Sequence, residues 1–84
     1  MDVKTSFEKA VAESKTLSEK PSNETLLNLY SLYKQSTDGD VNSEPPGMFD
    51  FVAKAKYEAW SSLKGKSKET AMQEYIALID KLKN

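Results

Sequence analysis

The hydrophobic and polar positions of the chain follow a helical period in four segments that turn residues separate. In the first segment Thr5 precedes Glu8 by three positions, which is typical of a capping box. A first helix is therefore predicted from Thr5 to about Leu17. One face of this segment is expected to carry Val3, Phe7, Ala10, Val11, Ser14 and Leu17.

A second helix is predicted between a proline and a glycine. Pro21 ends the preceding linker, and either Ser22 or Asn23 is suited to cap the helix N-terminus. The pair Asp38 and Gly39 ends the helical pattern, because glycine readily adopts the left-handed conformation that follows many helices.

Two further helices are predicted in the second half of the chain. The third should run from about Val52 to Lys64 and stop at Gly65, and the fourth from a Ser67 cap to about Leu82. Four helices with one long crossing connection predict an all-α bundle, in which residues 1–84 form a single domain.

The long connection lies between the second and third helices. Residues 39–51 contain two prolines and two glycines and show no helical period. We interpret this segment as an ordered loop whose apolar side chains hold it against the bundle. These side chains are Val41, Met48, Phe49 and Phe51.

Composition excludes several classes of function. The chain has no cysteine and no histidine, which argues against thiolate chemistry, disulfides, histidine catalysis and Cys/His zinc sites. All the basic residues are lysines, whereas arginine is the usual side chain for reading guanine, so no nucleic-acid partner is expected. The net charge of -1 points to no class of partner.

No segment has the pattern of a targeting or membrane-spanning sequence. Charges recur every few positions in the first residues, and no apolar run approaches the length that crosses a bilayer. We therefore expect a cytoplasmic protein without stable membrane insertion.

The second helix carries an unusually wide apolar arc. At 100° per residue the arc comprises Leu26, Leu27, Tyr30, Tyr33, Lys34 and Thr37, with Leu29 and Leu32 extending it. Glu24, Asn28, Ser31 and Gln35 are placed on the opposite side. Two tyrosines and a lysine on such an arc suggest a wet cavity beside the core, because buried phenols and ammonium groups need partners. Amphipathic tyrosines with outward hydroxyl groups are the alternative.

The third helix places one lysine among apolar residues. Lys56 falls between Leu63 and Trp60, whereas Lys54 falls on the opposite side with Glu58. Lys56 either extends its ammonium group to solvent or binds an anion. A phosphate clamp of this kind requires an aromatic surface for the base as well as cations for the phosphate. Tyr30, Tyr33 and Lys34 are residues of that type.

The fourth helix and the turn before it carry two further candidate features. Tyr75 lies among apolar positions, where its ring is either core or a ligand contact, and its hydroxyl group needs a partner in either case. Lys64, Lys66 and Lys68 are most simply a solvated corner.

Two long segments resemble the acyl-CoA-binding protein family. They are YSLYKQSTDGDVNSEPPGMFDF, which begins at Tyr30, and KAKYEAWSSLKGKSKETAMQEYI, which begins at Lys54. The openings FEKAVAESKTL at Phe7 and KPSNETLLNLY at Lys20 are also similar, so the resemblance covers nearly the whole chain. The sequence departs from common family members at Pro45, Val52 and Tyr57, which affects affinity and chain-length preference rather than fold.

The resemblance implies an up-down-down-up four-helix bundle that binds long-chain acyl-CoA esters as a monomer and carries and stores them inside the cell. It implies that Tyr30, Lys34 and Lys56 hold the 3'-phosphate and adenine, and that Lys15, Tyr33 and Tyr75 also contact the ligand. The complete predicted ligand-binding set is Lys15, Tyr30, Ser31, Leu32, Tyr33, Lys34, Lys56 and Tyr75.

The binding prediction includes neither a catalytic residue nor a metal nor a cofactor, since acyl-CoA is bound as a ligand. Without histidine or cysteine we find no pair of nucleophile and base that would support an enzyme. The alternative function is a helical protein–protein interaction module that uses the tyrosine-rich face.

Overall fold

The computed structural model describes residues 2–83, and this part of the chain contains four α-helices and no strand. They are α1 (Val3–Ser14), α2 (Asn23–Thr37), α3 (Phe51–Ser61) and α4 (Lys68–Lys83). The predicted all-α, four-helix class is confirmed. None of these helices is long and apolar enough to cross a membrane.

The start of α1 differs from the predicted capping box. Asp2 is the N-cap, and its Oδ1 accepts a hydrogen bond from the backbone N–H of Thr5 at 2.8 Å. Thr5 therefore lies inside the first turn, and the prediction that it caps the helix was wrong. The aspartate carboxylate, three positions earlier, satisfies the N–H group that the helix start leaves free.

The end of α1 also comes earlier than the predicted Leu17. The backbone N–H of Lys15 bonds to the Ala12 carbonyl at 3.2 Å, and that of Thr16 bonds to the Glu13 carbonyl at 3.0 Å. These bonds span three residues rather than four, so the last turn tightens after Ser14 and the α-helix stops.

Of the two candidates for the cap of α2 the structure shows Ser22, and the predicted Ser67 cap of α4 is confirmed. The Ser22 hydroxyl oxygen accepts from the Thr25 N–H at 3.2 Å, and the Ser67 hydroxyl oxygen accepts from the Thr70 N–H at 3.0 Å. Gly39 follows the C-cap of α2 with a φ of +82°, as expected of a glycine that ends a helix.

The third helix is shorter than predicted. Asp50 caps it by accepting the N–H of Ala53 at 3.1 Å, and the helix ends at Ser61. Tight turns follow, with the N–H of Leu63 bonded to the Trp60 carbonyl at 3.0 Å. Gly65, with a φ of +94°, then redirects the chain toward α4.

The bundle core lies where α4 packs against both α1 and α2, while α3 packs against α2. The buried cluster consists of Phe7, Ala10, Leu29, Leu32, Ala71, Tyr75 and Ile79. The Phe7 and Tyr75 rings meet edge to face, with centroids 5.2 Å apart and an interplanar angle of 72°. Among the described helices α2 contacts both α4 and α3, whereas α3 contacts only α2 and therefore lies at the edge.

The buried residues of α2 include polar ones that the helical pattern placed opposite the apolar arc. Ser31 and Gln35 are 4% and 0% exposed, so the side opposite this arc is partly buried as well. Gln35 Nε2 donates to Asp40 Oδ1 at 2.9 Å and to the Lys66 carbonyl at 2.7 Å. The Ser31 hydroxyl donates to the Asn28 carbonyl at 3.0 Å. These bonds compensate for the loss of water at the Gln35 Nε2 and Ser31 Oγ atoms, whereas the buried Gln35 Oε1 has no hydrogen-bond partner among the described residues.

The loop between α2 and α3 is fixed by polar contacts, and of the four apolar side chains expected to hold it only Val41 is half-buried. Asp40 Oδ1 accepts the Gly65 N–H at 2.8 Å, and Trp60 Nε1 donates to the Gly39 carbonyl at 2.8 Å. The expectation that Met48, Phe49 and Phe51 hold the loop in place was wrong. They are 74%, 83% and 72% exposed.

Candidate ligand-binding site

The apolar part of the candidate site is an open groove between α2 and α3, with a volume of about 490 Å³. We call it the α2–α3 groove. It is lined by Asn23, Leu26, Leu27, Tyr30, Phe51, Val52, Ala55 and Lys56. Val52 is 69% exposed and Phe51 is 72% exposed, so this groove presents apolar surface that water covers in the free protein.

Two smaller cavities adjoin the groove. The α2–α4 cavity, of about 250 Å³, is lined by Ser14, Leu17, Pro21, Leu26, Leu29, Tyr30, Tyr33 and Tyr75. The loop cavity, of about 230 Å³, is lined by Tyr30, Ser43, Glu44, Pro46, Ala53, Lys56, Tyr57 and Trp60. Tyr30 borders all three spaces and is the residue that joins them.

Lys56 extends from α3 over the aromatic ring of Tyr30. Its Nζ lies 5.3 Å from the ring centroid, within the range of a cation–π interaction. Lys56 is exposed and borders both the α2–α3 groove and the loop cavity. Its ammonium group is thus available to an anion that sits beside Tyr30.

Lys34, one turn after Tyr30 on α2, is held from two sides. Its Nζ lies 2.6 Å from Asp38 Oδ2 and 5.1 Å from the centroid of the Trp60 ring. The hydrogen bond to Asp38 raises the pKa of Lys34 and lowers the pKa of Asp38. Helical spacing favours this pair, because residues four apart lie on the same face.

The remaining two tyrosines connect the site with the core. The Tyr33 side chain is 40% exposed, and its ring stacks at 6.0 Å against Phe7. Tyr75 is only 4% exposed and belongs to the core, yet it also borders the α2–α4 cavity. Core packing, one of the two alternatives for Tyr75, is thus observed, and its ligand contact stays a prediction.

The structure brings part of the predicted ligand-binding set together. Tyr30, Tyr33 and Tyr75 border one cavity, and Lys56 contacts Tyr30. Lys34 reaches this group through Trp60, which borders the loop cavity. The ligand contacts of these residues stay predictions.

The other predicted residues lie elsewhere. Lys15 is the exposed C-cap of α1, next to the Ser14 that borders the α2–α4 cavity. Ser31 and Leu32 are 4% and 8% exposed, and Leu32 belongs to the core cluster. Both are therefore placed to support the site from behind rather than to border its open spaces, and their ligand contacts also stay predictions.

Sequence reasoning missed the α3 side of the groove. Phe51, Val52 and Ala55 line it, but we expected Phe51 to anchor the loop. Val52 was named only as a departure from the family that affects affinity, and Ala55 had no assigned role. The available signal was their position on the same helix as Lys56: Phe51 and Val52 lie about one turn before it, and Ala55 directly precedes it. Asp38 was noted only as a residue that ends α2, although its spacing from Lys34 predicts an ion pair.

The three spaces together provide chemistry for an amphiphilic ligand. The α2–α3 groove offers apolar surface, Tyr30 offers an aromatic face, and Lys56 and Lys34 offer positive charge. A molecule with an aliphatic chain, an aromatic base and phosphate groups would find a complementary surface for each part.

Comparisons with known proteins agree with this geometry. The sequence model of the family described as "Acyl CoA binding protein" matches residues 4–79. The chain is 53% identical over 78 residues to the acyl-CoA-binding protein of Dictyostelium discoideum, with 93% of each chain covered. It is 51% identical over 76 residues to that of Saccharomyces cerevisiae, with 90% of this chain and 87% of the yeast protein covered.

A solved structure shows the same fold. The crystal structure of Oryza sativa acyl-CoA-binding protein 2 superimposes with a TM-score of 0.92 at 42% identity and covers 96% of this chain and 90% of the rice chain. A sequence match and a structural match of this extent leave one assignment. The chain belongs to the acyl-CoA-binding protein family.

Proposed function

We propose that this protein binds long-chain acyl-CoA esters without changing them chemically, and that it serves as a carrier and store of these esters. The aliphatic chain would lie in the α2–α3 groove, and the nucleotide would lie around Tyr30 with its phosphate groups near Lys56 and Lys34. Membership of the acyl-CoA-binding protein family supports the ligand class.

The proposal rests mainly on Tyr30 and Lys56, which belong both to the apolar part and to the charged part of the site. Both residues line the apolar α2–α3 groove, and together they form the cation–π pair at 5.3 Å. An ester that bridges the two regions gains from chain burial, about 0.8 kcal/mol per CH₂ group, and from the charged contacts. A fatty acid or free CoA alone would use only one of the two regions.

The proposed role is binding alone, without a cofactor or a reaction. The chain lacks histidine and cysteine. The polar groups around Tyr30 include Lys56 and Tyr57, which suit charge binding and stacking on bases, together with Ser43 and Glu44. We propose in addition that the protein acts as a cytoplasmic monomer, with one ester bound per chain and no nucleic-acid partner. Titration of palmitoyl-CoA with protein, followed by measurement of thioester content, would reveal any hydrolysis.

Titration calorimetry with palmitoyl-CoA, free CoA and palmitate tests the proposal. We expect one bound palmitoyl-CoA per chain and much weaker binding of the other two ligands. Equal affinity for palmitate and palmitoyl-CoA would contradict the nucleotide site. Absence of binding to any of the three would favour the alternative, an interaction module that uses the tyrosine-rich face for another protein.

A further inference from the structure

We propose that Asp38 acts as an internal competitor for Lys34 and thereby weakens this protein's hold on the phosphate groups of its ligand. The inference rests on the proposed function, in which Lys34 binds a phosphate. It assigns to Asp38 the role of a residue that adjusts affinity through Lys34, not of a ligand contact.

The geometry places the carboxylate of Asp38 where a phosphate would bind. Asp38 Oδ2 lies 2.6 Å from Lys34 Nζ, the distance of a charge-assisted hydrogen bond. Carboxylate and phosphate oxygens seek the same donor with the same geometry. A phosphate that arrives at Lys34 must therefore displace Asp38 or share the ammonium group with a second negative charge, which repels it.

The fixed surroundings of Lys34 limit how far this contact can relax. The ammonium group lies 5.1 Å from the centre of the Trp60 ring, and Trp60 is only 4% exposed. Trp60 Nε1 donates to the carbonyl of Gly39 at 2.8 Å, and Gly39 directly follows Asp38 in the chain. The backbone N–H of Asp38 also bonds to the Lys34 carbonyl at 2.7 Å. Ring, backbone and carboxylate thus form one connected unit around Lys34.

A second lysine also attracts the Asp38 carboxylate. The positive charge of Lys68, at the start of α4, also stabilises the Asp38 carboxylate. When a phosphate binds Lys34 in place of Asp38, the positive charge of Lys68 still compensates part of the Asp38 charge. The competition is therefore moderate, as expected for a pair whose side chains are 29% and 40% exposed.

The test is the variant Asp38→Asn, which keeps the size of the side chain and removes its charge. We expect its affinity for palmitoyl-CoA to rise about two- to fivefold, the size typical of an exposed ion pair. The gain should be smaller for the 3'-dephospho analogue and should shrink at high salt. Stability should fall slightly, because the pair with Lys34 is lost, so affinity and stability move in opposite directions.

Two controls separate this role from a general effect of charge. Asp80→Asn removes one negative charge at a different position. Asp80 is a matched control because it also lies near a lysine of its own helix, with its Oδ1 3.9 Å from Lys83 Nζ. We expect this control to leave affinity unchanged. In a Lys34→Met background, Asp38→Asn should lose most of its effect.

The possible outcomes distinguish the two proposals. If wild-type protein does not bind palmitoyl-CoA, the proposed function fails. If wild type binds and Asp38→Asn leaves affinity unchanged, lowers it, or raises it equally in the Lys34→Met background, the proposed function stands and the role of Asp38 is refuted. An equal gain with Asp80→Asn would also refute it.

Discussion

The Nζ atom of Lys56 lies 5.3 Å from the centroid of the Tyr30 ring, and this contact joins α3 to α2 at the point where three open spaces meet. The two alternatives for Lys56 were an ammonium group that extends to solvent and one that binds an anion, and this contact has features of both. The side chain is exposed, as the solvent alternative required, but it also lies over an aromatic ring and beside an apolar groove. Its functional role is therefore best tested by substitution.

Lys56→Met removes the ammonium group and keeps an unbranched side chain. We expect it to weaken palmitoyl-CoA binding by about 1.5–3 kcal/mol, roughly ten- to a hundredfold, because a charge-assisted hydrogen bond is lost. The denaturant midpoint should change little, since Lys56 is exposed. Lys54→Met is the matched control, because Lys54 is also an exposed lysine on α3. Equal losses of affinity in the two variants would indicate a diffuse effect of positive charge and would contradict the specific clamp.

Tyr30→Ala should weaken ligand binding more than Tyr57→Ala. Tyr30 borders all three spaces, whereas Tyr57 borders only the loop cavity among them. Stacking of a base on an aromatic ring contributes about 1–3 kcal/mol, and calorimetry with palmitoyl-CoA and free CoA would measure its loss. A larger loss with Tyr57→Ala would place the base on α3 instead.

Phe51→Ala tests the apolar groove. Phe51 lines it and is 72% exposed in the free protein, so the substitution should reduce affinity for palmitoyl-CoA while stability stays nearly constant. Affinity for free CoA should not change. The control is Phe49→Ala, because Phe49 is 83% exposed and does not line the groove. A uniform loss for both ligands with Phe51→Ala would show that the residue shapes the nucleotide region as well.

Asp40→Asn tests the polar contacts that hold the loop. Bonds from the Gly65 N–H and from Gln35 lower the pKa of Asp40 below its ordinary value, so the charged carboxylate stabilises the fold. This stabilisation is present above the unfolded-state pKa of about 3.9 and disappears as the pH falls through the lower folded-state pKa.

The difference between wild type and Asp40→Asn should therefore follow pH. At pH 6 the variant should unfold at a lower denaturant concentration than wild type, and the two midpoints should converge toward pH 2. A midpoint difference that stays constant over this range would mean that the Asp40 charge does not contribute to stability.

Gly65→Ala tests the turn between α3 and α4. Gly65 has a φ of +94° and open space where a side chain would lie. The expected loss of about 1–2 kcal/mol in the free energy of unfolding therefore comes from the backbone conformation alone. Gly47 has no positive φ and also lies in open space, so Gly47→Ala should leave the free energy of unfolding unchanged or slightly raised. Chemical denaturation of the two variants, compared with wild type, measures both values.

The helices and most of their ends were encoded locally. Ser22 and Ser67 act as caps as predicted, and Gly39 ends α2 with a positive φ. These features depend on residues within a few positions of one another, so the sequence alone reveals them. The error at Thr5 was also local. Asp2, three positions earlier, accepts the backbone N–H of Thr5 and so takes the N-cap position itself.

Burial was decided by the tertiary structure. Sequence periodicity placed Gln35 opposite the apolar arc of α2, yet Gln35 is fully buried. Its Nε2 donates to Asp40 on the loop and to the carbonyl of Lys66, a residue far along the chain. Phe51 was expected to anchor the loop, yet it is 72% exposed and lines the groove. A helical pattern shows which residues share a face, but only the neighbouring helices determine whether that face is covered.

The same limit applies to the candidate site. The sequence singled out Tyr30, Lys34 and Lys56 as unusual, because lysines and tyrosines on an apolar arc need an explanation. It did not reveal that Lys34 lies beside the Trp60 ring, or that Tyr30 joins three spaces. Residue type and helical spacing are properties of the chain itself. Distances across helices arise only when α2, α3 and α4 pack together, so only the tertiary structure decided how the site is assembled.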